Sequence, residues 1–338
     1  MRILGIESSC DDTAAAVVEV TADGRATVLA NVVSSQDQIH ARFGGIVPEL
    51  ASRQHIEAIS PVVRAALAEA GCTLEQLDGI AATRGPGLVG SLLVGYTFAK
   101  ALALARGLPC VGVDHMSGHL LSVFLADDNI EFPYLALVVS GGNTNLYDVA
   151  APDTFVLVGR TRDDAAGEAF DKVAKLLGLG YPGGPIVSRL AGEGDATTYA
   201  LPRPMLHDDS LDFSFSGIKT AVAVLLHELE RRGETPDVPG LCASFQQAVV
   251  EVLVAKTLRA AARLHRSRVV LGGGVAANEL LRRTMAAACA GAGLDFHVPP
   301  LACCTDNAAM IAYAGSHLLR RGIGDDPDTD VYSRPLQD

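Results

Sequence analysis

The chain contains no tryptophan, and aromatic residues make up only 5% of its 338 positions. A core with so few rings must rest on alanine, valine, leucine and isoleucine. Hydrophobic residues still make up 49% of the chain, which is ample material for sizeable cores. Because domains commonly span about 100–200 residues, the length predicts about two domains.

The cysteine pattern is not that of a disulfide-bonded protein. The chain has seven cysteines, an odd number, and no Cys-x-x-Cys pair. Cys303 and Cys304 are adjacent and so are poorly placed for an ordinary structural disulfide. These features predict reduced thiols and a cytoplasmic protein.

Residues 1–6 have the pattern of a strand and do not resemble a signal peptide, so none is predicted. The most apolar predicted helix, residues 88–105, contains Tyr96 and Lys100 and is borderline in length. A membrane-spanning helix needs about 20 largely apolar residues. We interpret this helix as a buried core helix and predict no membrane contact.

Positive charge is scarce, because 27 Lys and Arg face 39 Asp and Glu, giving a net charge of −12. That balance argues against a dedicated high-affinity nucleic-acid module. It leaves nucleic acid open as a substrate, because a local arginine patch or a partner subunit can supply the contacts. The arginines of the N-terminal region that are candidates for such contacts are Arg42, Arg53, Arg64 and Arg84.

The predicted elements follow an α/β pattern with a weak internal repeat. Residues 3–18 and 135–149 both read as strand, small polar turn and strand. The predicted strands are residues 2–7, 14–20, 26–33, 79–83, 109–113, 134–140, 144–149 and 268–271. The predicted helices are residues 48–70 and 88–105, one from about Asp114, one from about Ala277, and 306–319.

Three glycine-bearing or small polar turns have features of phosphate-binding loops. The turns at residues 8–13 and 140–144 occupy matching positions of the repeat and present backbone N–H groups. Residues 272–274 are three glycines between a strand and a helix, where a nucleotide can approach the backbone. None of the three is a GxGxxG fingerprint or a P-loop, and each is also compatible with an ordinary turn.

Two histidines, His115 and His119, lie four residues apart on a predicted helix. That spacing puts both imidazoles on one face, so they are either two satisfied helix histidines or two ligands of one metal ion. Asp306, at the start of the last helix, is either an N-cap or the carboxylate of a two-His-one-carboxylate set suited to Fe²⁺. The segment lacks the Glu that follows the first His in zinc peptidases.

Eight segments, taken in this order, resemble the TsaD family, the tRNA adenosine threonylcarbamoyltransferases once described as O-sialoglycoprotein endopeptidases. The resemblance runs from Gly5 almost to Ser316. The segments are GIESSCDDT (5–13), HMSGH (115–119), VSGG (139–142), DAAGEAFDK (164–172), YPGGP (181–185), FSFSGIKT (213–220), GGGVAAN (272–278) and CTDN (304–307).

The resemblance implies an α/β protein with the two-lobed fold of actin, hexokinase and Hsp70 (the ASKHA fold) and a duplicated βββαβαβα core. We accordingly predict an N-lobe of residues 1–122, completed by a C-terminal helix at 306–324. A C-lobe follows at 123–305, with an inserted helical segment at about 161–235. The acidic tail, 325–338, is predicted to be loosely ordered.

The same resemblance implies two sets of site residues. His115, His119 and Asp306 would bind one Fe²⁺ per subunit, with Zn²⁺ as the alternative. The residues implied to contact an adenylate substrate are Val138, Val139, Ser140, Gly141, Gly142, Asp171, Gly184 and Asn278. No general base is evident, and Asp11 is the candidate for that catalytic role.

Two positions depart from the family pattern. Asn143 stands where a histidine usually follows Ser-Gly-Gly, and it can form hydrogen bonds but cannot shuttle a proton. Ser188 stands where an aspartate is common, so a ribose contact from that position is not predicted.

The resemblance implies transfer of the L-threonylcarbamoyl group from threonylcarbamoyl-AMP to N6 of the adenosine 3′ of the anticodon. The tRNAs would be those reading codons that begin with A. It also implies two protein partners, a shorter TsaB-like paralogue and a TsaE-like ATPase.

Three other functions compete with this reading. One is a sugar or acyl kinase of the same fold, which the histidine pair disfavours. Another is a metallopeptidase, disfavoured by the missing His-Glu pair. The third is an ATP-driven assembly protein of the actin or Hsp70 type.

Overall fold

The computed structural model describes residues 1–127 and 129–334, which form ten strands and ten α-helices. The strands are β1 (Arg2–Glu7), β2 (Asp12–Val20), β3 (Ala26–Ser35), β4 (Gly79–Gly85), β5 (Cys110–Asp114), β6 (Tyr134–Val139), β7 (Thr144–Ala151), β8 (Thr154–Arg160), β9 (Arg268–Gly272) and β10 (Asp295–His297). The helices are α1 (Asp37–His40), α2 (Pro48–Glu69), α3 (Val89–Arg106), α4 (His115–Leu121), α5 (Ala166–Leu176), α6 (Gly183–Ala191), α7 (Ser216–Arg232), α8 (Val238–Leu264), α9 (Glu279–Gly291) and α10 (Ala308–Arg320).

The described residues fall into two compact units. The first comprises Met1–Ile130 with Pro299–Asp338, and the second comprises Glu131–Val298. The first unit is therefore built from both ends of the chain. Compactness alone does not define lobes, so the predicted division into 1–122 with 306–324 and 123–305 stays a prediction.

Each unit contains one five-stranded sheet, and the two sheets share a topology. The strand order is β3-β2-β1-β4-β5 in the first unit and β8-β7-β6-β9-β10 in the second. In both, the first three strands in sequence pair antiparallel and the last two join in parallel. The predicted α/β class with a duplicated core is confirmed.

The central strands are apolar on both faces. Ile3, Leu4 and Ile6 of β1 are fully buried, as are Leu135 and Leu137 of β6. Such near-continuous apolar runs are typical of strands covered by other elements on both sides. Both strands were predicted from this pattern within one residue of their observed bounds.

Small residues let α10 pack very close to the first sheet. A Cβ atom added at Gly5 would overlap the Ala308 carbonyl oxygen, and one added at Gly315 would overlap the Ala81 methyl group. Packing at this distance leaves no room for a ring between helix and sheet. The low aromatic content of the sequence is consistent with this close packing of α10 on the first sheet.

The apolar helix predicted at 88–105 is α3, and it is only partly buried. Its exposed face carries Leu93 and Leu104, the latter 78% exposed, so the prediction of a buried core helix is wrong for that face. Among the described residues, α3 and α8 are long and apolar enough to cross a membrane by length and composition. Core helices of soluble proteins pass the same test, and α8 is mostly buried.

The C-terminal segment, residues 324–334, is docked on the first unit, which corrects the prediction of a loosely ordered tail. The Asp325 carboxylate accepts hydrogen bonds from Tyr96 Oη (2.5 Å) and Gly112 N (2.6 Å). Lys100 Nζ donates to the carbonyl oxygens of Pro327 (3.0 Å) and Thr329 (2.7 Å). Residues 335–338 of the predicted tail lie outside the described part of the chain.

Candidate metal centre and nucleotide-binding turn

The histidine-bearing helix starts at a well-defined cap. Asp114 ends β5, and its Oδ1 accepts hydrogen bonds from Met116 N (2.8 Å) and Ser117 N (3.2 Å). This N-cap makes His115 the first helical residue and puts His119 one turn later on the same face. Both side chains are buried, with 6% of His115 and 1% of His119 exposed.

Asp306 faces both histidines. Its Oδ1 lies 3.1 Å from His119 Nε2 and 3.5 Å from His115 Nε2. The N-cap of α10 is instead the neighbouring Asn307, whose Oδ1 accepts from Met310 N at 3.0 Å. The capping interpretation of Asp306 is therefore wrong, and its carboxylate is left available for the histidines.

The three donor groups fit one metal ion. Bonds of about 2.0–2.2 Å to a single ion place its ligand atoms roughly 3.0–3.6 Å apart. The distances from Asp306 Oδ1 to the two Nε2 atoms match that range, and one ligand atom from each residue lies within 4.8 Å of the others. Two imidazoles and one carboxylate leave coordination positions open, as in sites for Fe²⁺ and catalytic Zn²⁺.

Opposite charges dominate the electrostatics of this group. Burial lowers the pKa of His115, but the charges of Glu7 and Asp306 outweigh it and raise the pKa to about 9. Burial raises the pKa of Asp306, but the two histidines outweigh it and lower the pKa to about 2. Without a metal, a proton on His115 balances the buried carboxylates, so a bound cation must displace that proton.

Glu7 binds the Nδ1 side of the His115 ring, opposite the nitrogen that faces Asp306. This role of Glu7 was not predicted from the sequence. Its Oε2 lies 2.9 Å from His115 Nδ1 and accepts a hydrogen bond from Thr83 Oγ1 at 2.6 Å, while its Oε1 accepts from Ser9 N at 2.5 Å. A carboxylate bound to Nδ1 fixes the imidazole tautomer and directs Nε2 toward the ligand position. The available signal was an acidic residue directly after an apolar run, residues 3–6.

Two further carboxyl groups feel the charge of Asp306. Burial raises the pKa of Asp11, and Asp306 raises it further. Burial likewise raises the pKa of Asp12, with added contributions from Asp306 and Asp11, to about 7. The turn after β1 therefore carries carboxyl groups that hold protons more readily than ordinary surface carboxylates do.

The C-terminal segment contacts Asp114, the N-cap of α4, the helix that carries His115 and His119. Tyr332 Oη donates to Asp114 Oδ2 at 2.6 Å, while Asp114 Oδ1 caps α4. Arg84 Nε donates to the Asp330 carbonyl oxygen at 2.8 Å, and its guanidinium lies 5.7 Å from the centre of the Tyr332 ring. Arg84 is thus engaged in holding this segment, which argues against its predicted role as a tRNA contact.

In the second unit, the turn between β6 and β7 presents open backbone. Ser140 N donates to the Asn143 carbonyl oxygen (2.8 Å), and Asn143 N donates to Ser140 Oγ (3.1 Å). A Cβ atom added at Gly141 or Gly142 would meet no atom within 4 Å. Gly167, in the first turn of α5, donates its N–H to the Ser140 carbonyl oxygen at 3.2 Å. The tip of the turn is therefore closed on itself and accessible from outside.

The other predicted adenylate contacts lie in three places of the second unit: strand β6, the contact between α5 and α6, and the start of α9. Val138 and Val139 are buried in β6, so only their main chain can meet a ligand. Asp171 Oδ1 accepts from Gly183 N at 2.7 Å, beside the open position of Gly184. Asn278 Oδ1 caps α9 by accepting from Leu281 N at 3.0 Å.

The amide of Asn278 is also engaged on its nitrogen side. Its Nδ2 donates to Gln246 Oε1 at 2.7 Å and to Ser188 Oγ at 3.4 Å. The structure thus brings together Asn278 and Ser188, one of the two departures from the family pattern.

The sheet topology defines the class of protein. Component A of the (R)-2-hydroxyglutaryl-CoA dehydratase of Acidaminococcus fermentans matches 94% of this chain and 99% of its own with a TM-score of 0.55 and 16% identity. The activator of the 2-hydroxyisocaproyl-CoA dehydratase of Clostridium difficile, solved with bound ADPNP, matches 96% and 99% with a TM-score of 0.53 and 13% identity. These likenesses show the fold alone, which is the predicted ASKHA fold.

Within that class, the chain belongs to the TsaD family, the tRNA N6-adenosine threonylcarbamoyltransferases, whose profile matches residues 27–313. Curated relatives of that name are 57% identical in Sorangium cellulosum, covering 97% of this chain and 94% of theirs, and 56% identical in Anaeromyxobacter dehalogenans, covering 98% of both. Another, from Desulforapulum autotrophicum, is 52% identical over 99% of both chains. The predicted family is confirmed, and with it the class of enzyme, an acyltransferase of tRNA modification.

Proposed function

We propose that this protein transfers the L-threonylcarbamoyl group from threonylcarbamoyl-AMP to N6 of the adenosine 3′ of the anticodon, in tRNAs reading codons that begin with A. The observation that carries the proposal is the convergence of His115, His119 and Asp306 in a chain of this family. In the reaction, N6 of the adenosine attacks the carbamoyl carbon, the bond from that carbon to the phosphate oxygen breaks, and AMP leaves. N6 loses one proton.

The adenylate is held by the second unit. The main chain of residues 138–142 receives the phosphate, because the glycines of the turn leave room for close approach. Asp171 accepts a ribose hydroxyl beside Gly184, and Asn278 contributes the second lone pair of its amide oxygen, since both of its N–H groups already have partners. The main chain of Asn143 closes the turn, and its side-chain amide can form hydrogen bonds to the substrate but cannot move a proton.

The metal is one Fe²⁺ per subunit, with Zn²⁺ as the alternative, held by His115, His119 and Asp306. When bound, it supplies Lewis-acid polarisation of the acyl-phosphate region of the donor. Glu7 holds the His115 ring so that Nε2 faces Asp306. The N-cap at Asp114 fixes the direction of α4 and thereby of both imidazoles.

Asp11 accepts the proton that N6 loses. Its support is position, since it belongs to the turn after β1 and feels the charge of Asp306. Burial and that charge raise its pKa, which makes it a better proton acceptor than an exposed aspartate. Asp12, whose pKa is raised to about 7, provides a neighbouring carboxyl that can share the proton.

The protein works in the cytoplasm with a TsaB-like paralogue and a TsaE-like ATPase. Its net charge of −12 predicts weak binding of tRNA by the chain alone, so partners supply part of the tRNA contact. Of the candidate arginines, Arg53 pairs with Glu49 of the same helix at 2.6 Å. Arg42 and Arg64 are exposed and stay candidates for phosphate contact.

The test follows labelled threonine from threonylcarbamoyl-AMP to tRNA, with and without the partner proteins. We expect efficient labelling only with partners present, and none on a tRNA whose target adenosine is replaced. Labelling should fall as the salt concentration rises, because counterions compete with the phosphate contacts. Label on the altered tRNA, or phosphate transfer from ATP to a small sugar, would overturn the proposal and favour the kinase alternative.

A further inference from the structure

One aromatic ring is left in water. Phe43 is 56% exposed and is the only aromatic side chain among the exposed large hydrophobic residues of the described chain. In a protein with no tryptophan and 5% aromatics, the other rings are at least partly buried. Exposing a phenylalanine forgoes hydrophobic stabilisation, and an exposed ring offers a flat apolar surface on which a ligand can stack.

The loop that carries Phe43, residues 36–47, follows β3 of the first unit. It begins beside the acidic turn between β1 and β2. Ser35, the last residue of β3, pairs with Asp12, the first residue of β2. Residues 36–47 therefore begin next to the turn that carries Asp11. The charge of Asp37 raises the pKa of Asp11, after burial and Asp306, and the charge of His40 lowers it, so both ends of α1 are within electrostatic reach of that turn.

The base of this loop is tied and its tip is free to meet a ligand. Buried His40 accepts a hydrogen bond from Val47 N on Nδ1 (3.3 Å), and its Nε2 lies 3.1 Å from Gln36 Oε1. Gly44, with φ of 67°, turns the chain directly after Phe43. The tip therefore presents Phe43 and exposed Arg42 from a closed base rather than from a loose segment.

The surroundings select the kind of ligand. Exposed Arg42 beside Phe43 can meet a backbone phosphate, while Asp11, Asp12 and Asp37 make the adjoining edge acidic and suited to groups that donate hydrogen bonds. A nucleobase is neutral and flat, and its exocyclic amino groups donate to carboxylates. Sequence-tolerant recognition of unpaired RNA bases commonly uses stacking on an aromatic side chain.

We propose that the Phe43 ring is a stacking surface for an unpaired base of the tRNA anticodon loop. The inference rests on the proposed function for its choice of RNA. It assigns Phe43 to substrate binding and leaves the metal ligands and the adenylate contacts unchanged.

The test compares Phe43→Ala with Phe43→Tyr, which keeps the ring, and with Ile56→Ala, which removes a more exposed apolar side chain (65%) from α2. The partner proteins are present throughout. We expect Phe43→Ala to raise the KM for tRNA by about tenfold or more, with kcat at saturating tRNA, metal content and AMP affinity unchanged. Phe43→Tyr should restore the KM, and Ile56→Ala should leave it unaltered.

A second readout does not depend on catalysis. An anticodon stem-loop carrying 2-aminopurine in the loop reports stacking as fluorescence quenching, which wild type and Phe43→Tyr should show and Phe43→Ala should lose. If wild type gives quenching that depends on Phe43 but no transfer, the proposed function fails and the stacking surface stands. Equal RNA binding by wild type and Phe43→Ala, or loss of a protein partner instead of RNA, would overturn the inference.

Discussion

The two units repeat one sheet but place different chemistry at the turn between its first two strands. In the first unit, β1 ends at Glu7 and β2 begins at Asp12, so side-chain carboxylates surround the turn. In the second, the turn between β6 and β7 carries Gly141 and Gly142 and offers main-chain N–H groups. The shared topology determines where a site lies, while the residues of the turn determine whether it suits a cation or a phosphate.

Removing a proposed metal ligand should have the largest effect, and it should change the first unit without changing the second. His115→Ala, His119→Ala and Asp306→Ala should each lose most of the bound metal and most of the transfer activity with the fold intact. Elemental analysis measures the metal, and calorimetry with AMP should show that the second unit still binds.

A matched control is His227→Ala, which removes an exposed histidine from α7 of the second unit. It should leave the metal content as in wild type. Full metal occupancy in all three ligand variants would mean that the metal lies elsewhere.

Substitutions in the second unit should weaken AMP binding and leave the metal content unchanged. Asp171→Ala should weaken AMP binding by about 1.5–3 kcal/mol, the usual contribution of a charge-assisted hydrogen bond, without loss of metal. Asn278→Ala should weaken it less, while lowering the free energy of unfolding by about 1 kcal/mol because the N-cap of α9 is lost. Calorimetric affinities equal to wild type in both variants would remove these residues from the site.

The pH dependence of stability should separate metal-free from metal-loaded protein. The folded-state pKa of His115 is raised from 6.5 to about 9, so its stabilising contribution is complete below 6.5 and is lost as the pH rises through 9. Urea unfolding of metal-free protein should therefore show a loss of about 1–3 kcal/mol between these values. Protein loaded with Zn²⁺ should lack this loss, since metal-bound His115 carries no proton.

His115→Gln serves as the control for that experiment, because it removes the titrating ring. If the metal-free wild type and this variant show the same slope between pH 6.5 and 9, the raised pKa of His115 is not the cause.

The smallest expected effect concerns the C-terminal segment. Tyr332→Phe removes the hydroxyl that donates a hydrogen bond to Asp114. It keeps the ring that lies against the Arg84 guanidinium. We expect metal affinity to fall by about two- to fivefold, the effect of one ordinary hydrogen bond. Metal titration against Tyr313→Phe, which removes a hydroxyl at the other end of the unit bonded to Gly24, gives the reference. A larger loss in Tyr313→Phe would show that the effect is general destabilisation.

Local patterns in the sequence were enough for most of the framework. The alternation and apolar runs placed β1, β6 and β9 within one residue, and the i, i+4 spacing identified His115 and His119. The residues alone left Asp306 as either an N-cap or a metal ligand, and the family resemblance favoured the ligand because its motif includes this aspartate.

What the sequence did not reveal depends on contacts between distant residues. Glu7 meets His115 across 108 positions, and Tyr332 meets Asp114 across 218. No periodicity encodes such contacts, and four aspartates among residues 325–330 indicate a solvated tail rather than a docked one. The role of Asn307 as cap became evident only once Asp306 was seen to face the histidines.

The first unit takes its residues from both ends of the chain, and this has a consequence for biosynthesis. His119 and Asp306 are 187 positions apart, so a ribosome adding about 5–20 residues per second makes the second roughly 10–40 s after the first. A nascent chain therefore carries two of the three metal donors through most of its synthesis and cannot close the centre. The proposed metal site can therefore be complete only after residue 306 has been made, and a product cut short before that residue lacks the third donor.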